Sequence, residues 1–147
     1  MAIEREATAT WEGNLARGVG RVSSGSSVGF NGLAFSLPTR IGQPGDETSP
    51  EELLAAAHAG CYAMALAAVL TNADVPPGRL DVSCRITVAE DPETGFRIAR
   101  SALVVDAEVD GVSRDALQAA MTAADETCPY SALLRGAGAA VETAIRH

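Results

Sequence analysis

The amino-acid sequence predicts an α+β fold in which an antiparallel β-sheet is wrapped around a buried central helix. Three observations lead there. The run from Leu53 to Leu70 is uncharged and favours helix, and a helix that is apolar on every side must be covered on every side. Leu80, Val82, Cys84, Ile86 and Val88 alternate with Asp81, Ser83, Arg85 and Thr87, which is the two-residue period of a half-buried strand. Glycine, proline and aspartate turns separate the segments without a linker, a repeat or a low-complexity stretch. The chain of 147 residues therefore fits a single domain, 1–147, with a substantial core.

The elements follow in chain order. Residues 4–12 alternate Glu4, Glu6, Thr8 and Thr10 against Arg5, Ala7, Ala9 and Trp11, and read as a strand ended by the turn Gly13-Asn14. Residues 16–36 hold one or two further strands, with turns at Gly25-Ser26-Ser27 and Asn31-Gly32. Pro38 to Glu47 reads as a loop. Ser49-Pro50-Glu51-Glu52 is a helix start: Ser49 caps, Pro50 sits in the first turn, and Glu52 completes a capping box. That helix runs to about Asn72, before Val75-Pro76-Pro77-Gly78 breaks the chain.

The alternating strand from Leu80 turns at Asp91-Pro92-Glu93-Thr94-Gly95 and pairs with 96–109, where Leu103, Val105, Ala107 and Val109 share a face. Ser113 caps a second helix with Ala116, Leu117, Ala120, Met121 and Ala124 on one side. Pro129 to Leu134 forms a short third helix ended by Gly136, and Ala139, Val141, Thr143 and Ile145 alternate as a last strand.

Composition excludes several classes. A net charge of −8 and only 4% aromatic residues argue against nucleic acid, which needs a basic stripe and stacking platforms. The start Met1-Ala2-Ile3-Glu4-Arg5-Glu6 has acids and no apolar stretch, so no secretory signal is expected and the location is expected to be cytoplasmic. Leu53 to Leu70 is at the short limit for a membrane span. Its alanine content, with His58 and Gly60 inside it, fits a buried helix better, so no membrane partner is expected.

The chain has three cysteines, no even disulfide framework, and a composition that suits a reducing compartment. Cys61 and Cys128 stand in unlike settings, and two such thiols suggest a cycle in which one is oxidised and the other resolves it. Cys128 precedes Pro129 at a helix start, where backbone N–H groups stabilise a thiolate. Cys61 is mid-helix in apolar surroundings, which raises a thiol pKa, so it needs an external cation. The candidates are His58, one helical turn before it, and an arginine from elsewhere. Glu51 lies ten residues before Cys61, roughly 15 Å along a helix axis, too far to act on the thiol but able to hold an arginine. Arg40, on the segment leading into the helix, is the natural partner. Cys84 reads as a small buried hydrophobe on its strand. His58, Cys61 and Cys128 also suggest a metal site, but the H-x-x-C spacing with a distant cysteine matches no strong zinc pattern, and no metal is assigned.

Ser49-Pro50-Glu51-Glu52-Leu53-Leu54-Ala55-Ala56-Ala57-His58-Ala59-Gly60-Cys61 resembles the central-helix motif of the OsmC/Ohr family of thiol-dependent hydroperoxide reductases. Cys128-Pro129-Tyr130-Ser131 resembles that family's second cysteine motif. Ala9-Thr10-Trp11-Glu12-Gly13, Arg17-Gly18-Val19-Gly20 and Thr39-Arg40 look like the OsmC branch, and the likeness runs nearly end to end. Two departures stand out. Ser49 replaces the family's common Asn, and either residue caps a helix. Gly60 precedes Cys61 where Ala or Ser is common, at a cost of ~1 kcal/mol against Ala.

The resemblance implies an intertwined homodimer with paired central helices. It implies Cys61 as the peroxidatic cysteine and Cys128 as the resolving one, with Arg40 charging and orienting at the thiolate and Glu51 holding Arg40. The implied activity is a peroxidase that turns organic hydroperoxides into alcohols in oxidative or osmotic stress defence. It proceeds through a Cys61 sulfenic acid and a Cys61–Cys128 disulfide, with no bound cofactor and with a lipoyl-type or other dithiol reductant. The alternative is a non-catalytic small-molecule-binding or stress-associated dimer of the same fold, although binding alone needs neither thiol.

Overall fold

A computed structural model describes residues 1–146 and has the expected α+β composition, with two three-stranded sheets and one long helix. The chain forms two compact units, 1–53 and 54–147.

In the first unit, β1 (Ala7–Glu12), β2 (Val19–Ser24) and β3 (Leu33–Phe35) form an antiparallel meander. Gly20 in β2 faces Trp11 on one neighbour and Phe35 on the other. A Cβ at Gly20 would lie 2.2 Å from Phe35 Cζ, so only glycine lets the Phe35 ring lie across this strand. The expected loop after β3 instead begins with a short helix, α1 (Leu37–Ile41). Ser36 and Thr39 form a reciprocal capping box there and proline occupies the first turn, so three adjacent residues satisfy the helix start. α1 carries Arg40.

α2 (Pro50–Asn72) has the predicted bounds. Ser49 Oγ accepts from Glu52 N at 3.1 Å, as expected. The other half of that capping box is replaced, because the Glu52 carboxylate accepts from Thr48 Oγ1 at 2.9 Å.

In the second unit, β4 (Arg79–Asp91) and β5 (Gly95–Glu108) make a long hairpin with one register shift at Thr87/Val88. α3 (Arg114–Thr127) and α4 (Pro129–Gly136) then lead to β6 (Ala140–Ile145). β6 pairs with β5 in parallel and not antiparallel. The two intervening helices form a crossover, which returns the chain in the same direction where a tight turn would reverse it.

Within α2, His58, Tyr62, Leu66 and Leu70 are buried at four-residue spacing. Tyr62, Leu66 and Leu70 share a core with Leu103 and Val105 of β5 and Met121 and Ala124 of α3. Full burial of each leucine stabilises the fold by roughly 1.5–3 kcal/mol. Ala56, Gly60, Met64 and Ala68 on the opposite face are exposed, Met64 to 75%. The central helix is therefore covered on one side within the chain and bare on the other.

Candidate active site

Cys61 sits on α2 between these two faces and is half-buried. Cys128 is wholly buried where α3 ends and α4 begins. Its thiol donates toward Cys61 Sγ at 3.5 Å, so two residues 67 positions apart meet in van der Waals contact. Proline at the start of α4 forces the chain to turn at Cys128, because the residue before proline is driven out of helical geometry. That break swings Cys128 out of the helical path and into the core.

The start of α4 acts differently from expectation. Cys128 makes no side-chain capping hydrogen bond to that helix. The backbone N–H of Tyr130, in the first turn of α4, favours the thiolate of Cys61 instead. It opposes a larger effect, since burial pushes the Cys61 thiol above its ordinary range and the neighbouring Cys128 thiol adds to the rise. Left to these groups alone, Cys61 is a weakly ionised thiol. An open groove of about 450 Å³ runs from Cys61 past Met64, Ala65, Ala68 and Val69 to Asn72, with Thr127 and Pro129 beside it. Its lining is largely apolar and suits a hydrocarbon group.

His58 is not the cation that the spacing H-x-x-C suggests. Its ring is fully buried and both nitrogens are engaged: Nδ1 with Ser101 Oγ at 2.8 Å and Nε2 with Ser131 Oγ at 2.9 Å. Burial holds its pKa below the ordinary histidine value; Asp125 opposes this and Arg135 adds to it. A neutral imidazole offers no charge to a thiolate. Cys84 Sγ lies 3.2 Å from Ser101 Oγ, so this strand cysteine has a polar partner as well as apolar neighbours. Burial raises its pKa.

Sequence reasoning passed over Ser101 and Ser131. Ser101 is in phase with Leu103 and Val105 on the buried face of β5, and a hydroxyl at a core position is the signal that it has a partner. Ser131 closes the Cys128-Pro129-Tyr130-Ser131 segment.

Arg40 and Glu51 meet within the first unit. Arg40 Nε and Nη2 both donate to Glu51 Oε1, at 2.9 and 2.7 Å. The Arg40 side chain is 40% exposed and that of Glu51 18%. Glu51 Oε2 is buried and has no hydrogen-bond partner among the described residues. The four sequence-predicted residues thus assemble as two pairs, one in each unit.

Comparison with known proteins adds a third line. Residues 43–144 match the family model described as OsmC-like protein. The chain is 35% identical over 136 residues to peroxiredoxin OsmC of Escherichia coli (strain K12), with 92% of each chain covered. It is 32% identical over 104 residues to the organic hydroperoxide resistance protein of Xanthomonas axonopodis pv. citri (strain 306), covering 69% of this chain and 70% of that one. The crystal structure of the organic hydroperoxide resistance protein OhrB of Bacillus subtilis matches with a TM-score of 0.74 at 27% identity, covering 96% of this chain and 98% of the other.

Proposed function

The chain belongs to the OsmC-like protein family, and from that premise we propose that it is a thiol-dependent peroxidase reducing organic hydroperoxides to alcohols in peroxide defence. The observation that carries the reading is the contact of a half-buried sulfur with a wholly buried one at 3.5 Å, beside an apolar groove. Burial sets the order of events. A hydroperoxide reaches Cys61 and not Cys128, so Cys61 attacks and Cys128 resolves.

The Cys61 thiolate attacks the terminal oxygen of ROOH. The O–O bond breaks, the alkoxide takes a proton and leaves as ROH, and Cys61 becomes a sulfenic acid. Cys128 then attacks the Cys61 sulfur. The S–O bond breaks, the hydroxyl leaves as water with the Cys128 proton, and a Cys61–Cys128 disulfide remains. An external dithiol of lipoyl type, or another thiol donor, restores both thiols through a mixed disulfide.

In this reading Arg40 supplies the positive charge that Cys61 lacks and Glu51 holds the guanidinium. Supporting it, Arg40 is bound through Nε and Nη2 alone, which leaves Nη1 uncommitted among the described residues. The chain acts as a homodimer, and the bare stripe Ala56, Gly60, Met64 and Ala68 is the seam where a second α2 packs, since small residues let two helices approach closely. The groove shares Met64 and Ala68 with this stripe, so in the dimer the partner helix forms one of its walls.

One equivalent of tert-butyl hydroperoxide removes about 2 Da per chain when the disulfide forms. Turnover of tert-butyl or cumene hydroperoxide exceeds that of hydrogen peroxide, because only the former have a tail for the groove. An unchanged mass together with unchanged free thiols removes the peroxidase reading, and a preference for hydrogen peroxide removes its substrate class.

A further inference from the structure

We propose that His58 is a positioning residue: with Ser131 it forms a second rung between α2 and α4 that holds the two cysteine sulfurs in reach of each other. This rests on the disulfide reading of the site.

The placement is symmetrical about the thiols. His58 lies three residues before Cys61 on α2, and Ser131 lies three residues after Cys128 on α4. On α2 that spacing is one helical turn and puts His58 and Cys61 on the same side of the helix, while Cys128 is the extended residue that begins α4 and Ser131 lies in the first turn of that helix. The sulfurs make one contact between the two elements at 3.5 Å, and His58 Nε2 and Ser131 Oγ make another at 2.9 Å. His58, Ser131 and Cys128 are all 0% exposed. Ser101 ties the opposite ring nitrogen to β5, so the imidazole is held at both ends.

The rung matters because the sulfurs must move. A disulfide needs a separation near 2.0 Å with Cβ atoms roughly 3.5–4.5 Å apart. The thiols start 3.5 Å apart. If α2 and α4 keep their spacing, rotation of the cysteine side chains closes most of that gap. If they drift apart, the resolving thiol loses effective concentration and the Cys61 sulfenic acid persists long enough to oxidise further. A planar ring with hydrogen-bonding atoms on opposite sides is a stiff spacer. The residue one turn beyond Cys61 toward the C-terminus, Met64, is exposed, so the brace lies on the N-terminal side.

The test measures effective concentration without peroxide. The purified protein is equilibrated with oxidised and reduced glutathione; oxidised glutathione takes two electrons and two protons from Cys61 and Cys128 and leaves as two thiols. Ser131→Ala removes the rung at small volume cost, and His58→Gln keeps polar atoms but loses the ring. Tyr62→Phe is the control. It deletes another buried hydrogen bond of α2, from Tyr62 Oη to the Met121 carbonyl at 2.9 Å, and leaves the rung alone.

Ser131→Ala and His58→Gln lower the disulfide-forming equilibrium constant at least tenfold more than Tyr62→Phe does, a difference of about 30 mV. A smaller difference overturns the proposal, because general loosening of the core moves all three variants alike. The two readings fail separately. A wild-type chain that loses mass to hydroperoxide while Ser131→Ala matches Tyr62→Phe keeps the peroxidase and removes the rung. A wild-type chain inert to hydroperoxide whose glutathione equilibrium depends on Ser131 keeps the rung and removes the peroxidase.

Discussion

Replacing His58 by Gln makes the stability of this protein less sensitive to acid. His58 is fully buried with a serine hydroxyl on each ring nitrogen, and burial holds its pKa below the unfolded value. Below about pH 6.5 the unfolded chain therefore binds a proton at this site that the folded chain does not. Stability is fully present above that pH and is lost as pH falls from there toward the folded pKa. One group contributes at most about 1.4 kcal/mol per pH unit in that window. Between about pH 7.5 and pH 5.5 the loss traceable to His58 is thus up to about 1.4 kcal/mol, or roughly 3–6 °C in Tm for a chain of this size. His58→Gln abolishes this dependence. It costs about 1–3 kcal/mol at the higher pH, because a serine loses its buried partner. Urea unfolding of both proteins at both pH values gives the double difference. The gap between wild type and variant narrows toward the lower pH. A gap that stays constant within about 0.5 kcal/mol, or widens, refutes the neutral buried imidazole.

Other variants test the rest of the site. Arg40→Ala leaves the fold intact and slows alkylation of Cys61 at neutral pH about tenfold or more, because loss of a nearby cation disfavours the thiolate. An unchanged alkylation rate across pH removes Arg40 from the site. Cys128→Ser replaces the loss of about 2 Da on peroxide treatment with a gain of about 16 Da at Cys61, read by peptide mass, since the sulfenic acid has no resolving thiol. Disulfide formation in that variant would shift suspicion to Cys84. Met64→Asp on the bare stripe weakens self-association at least tenfold by light scattering, because burying an unpaired charge costs several kcal/mol; an unaltered mass moves the seam elsewhere.

Much of the fold was legible because the strongest local signals survive in the structure. The α2 bounds follow from Ser49-Pro50 at one end and Val75-Pro76-Pro77 at the other, each a backbone constraint that tertiary packing does not override. The strand alternation from Leu80 extends into β4 for the same reason. What escaped was set by two kinds of information. α1 reads as loop in the sequence because its five residues are too short for a hydrophobic period, although Ser36, Pro38 and Thr39 already spell a helix start. The parallel pairing of β6 depends on where α3 and α4 deliver the chain, and alternation carries no direction.

The site shows the same division with a sharper consequence. Residue types single out Cys61 and Cys128, whose sulfurs the fold brings into contact, but local chemistry assigns the help of the α4 terminus to Cys128, where the structure directs it to Cys61. A helix N-terminus serves the group in front of its N–H bonds, and the group in front need not be the residue that begins the helix. Cys128 begins α4 and turns into the core, while the Tyr130 N–H favours the thiolate of Cys61, a residue from another helix. Likewise the turn-spaced pair His58 and Cys61 suggests a cation beside a thiolate, yet side chains at that spacing share a face without having to face each other. The ring of His58 turns to Ser101 and Ser131. Both errors have one physical cause: spacing along a helix gives the face a side chain occupies, and only the elements packed on that face decide its partner. The residue to distrust in such a reading is therefore the buried polar one whose partner has not been found. Glu51 is one such residue, its Oε1 held by Arg40 but its Oε2 buried with no partner among the described residues, and Arg40→Ala is the substitution that shows whether its held arginine acts on Cys61.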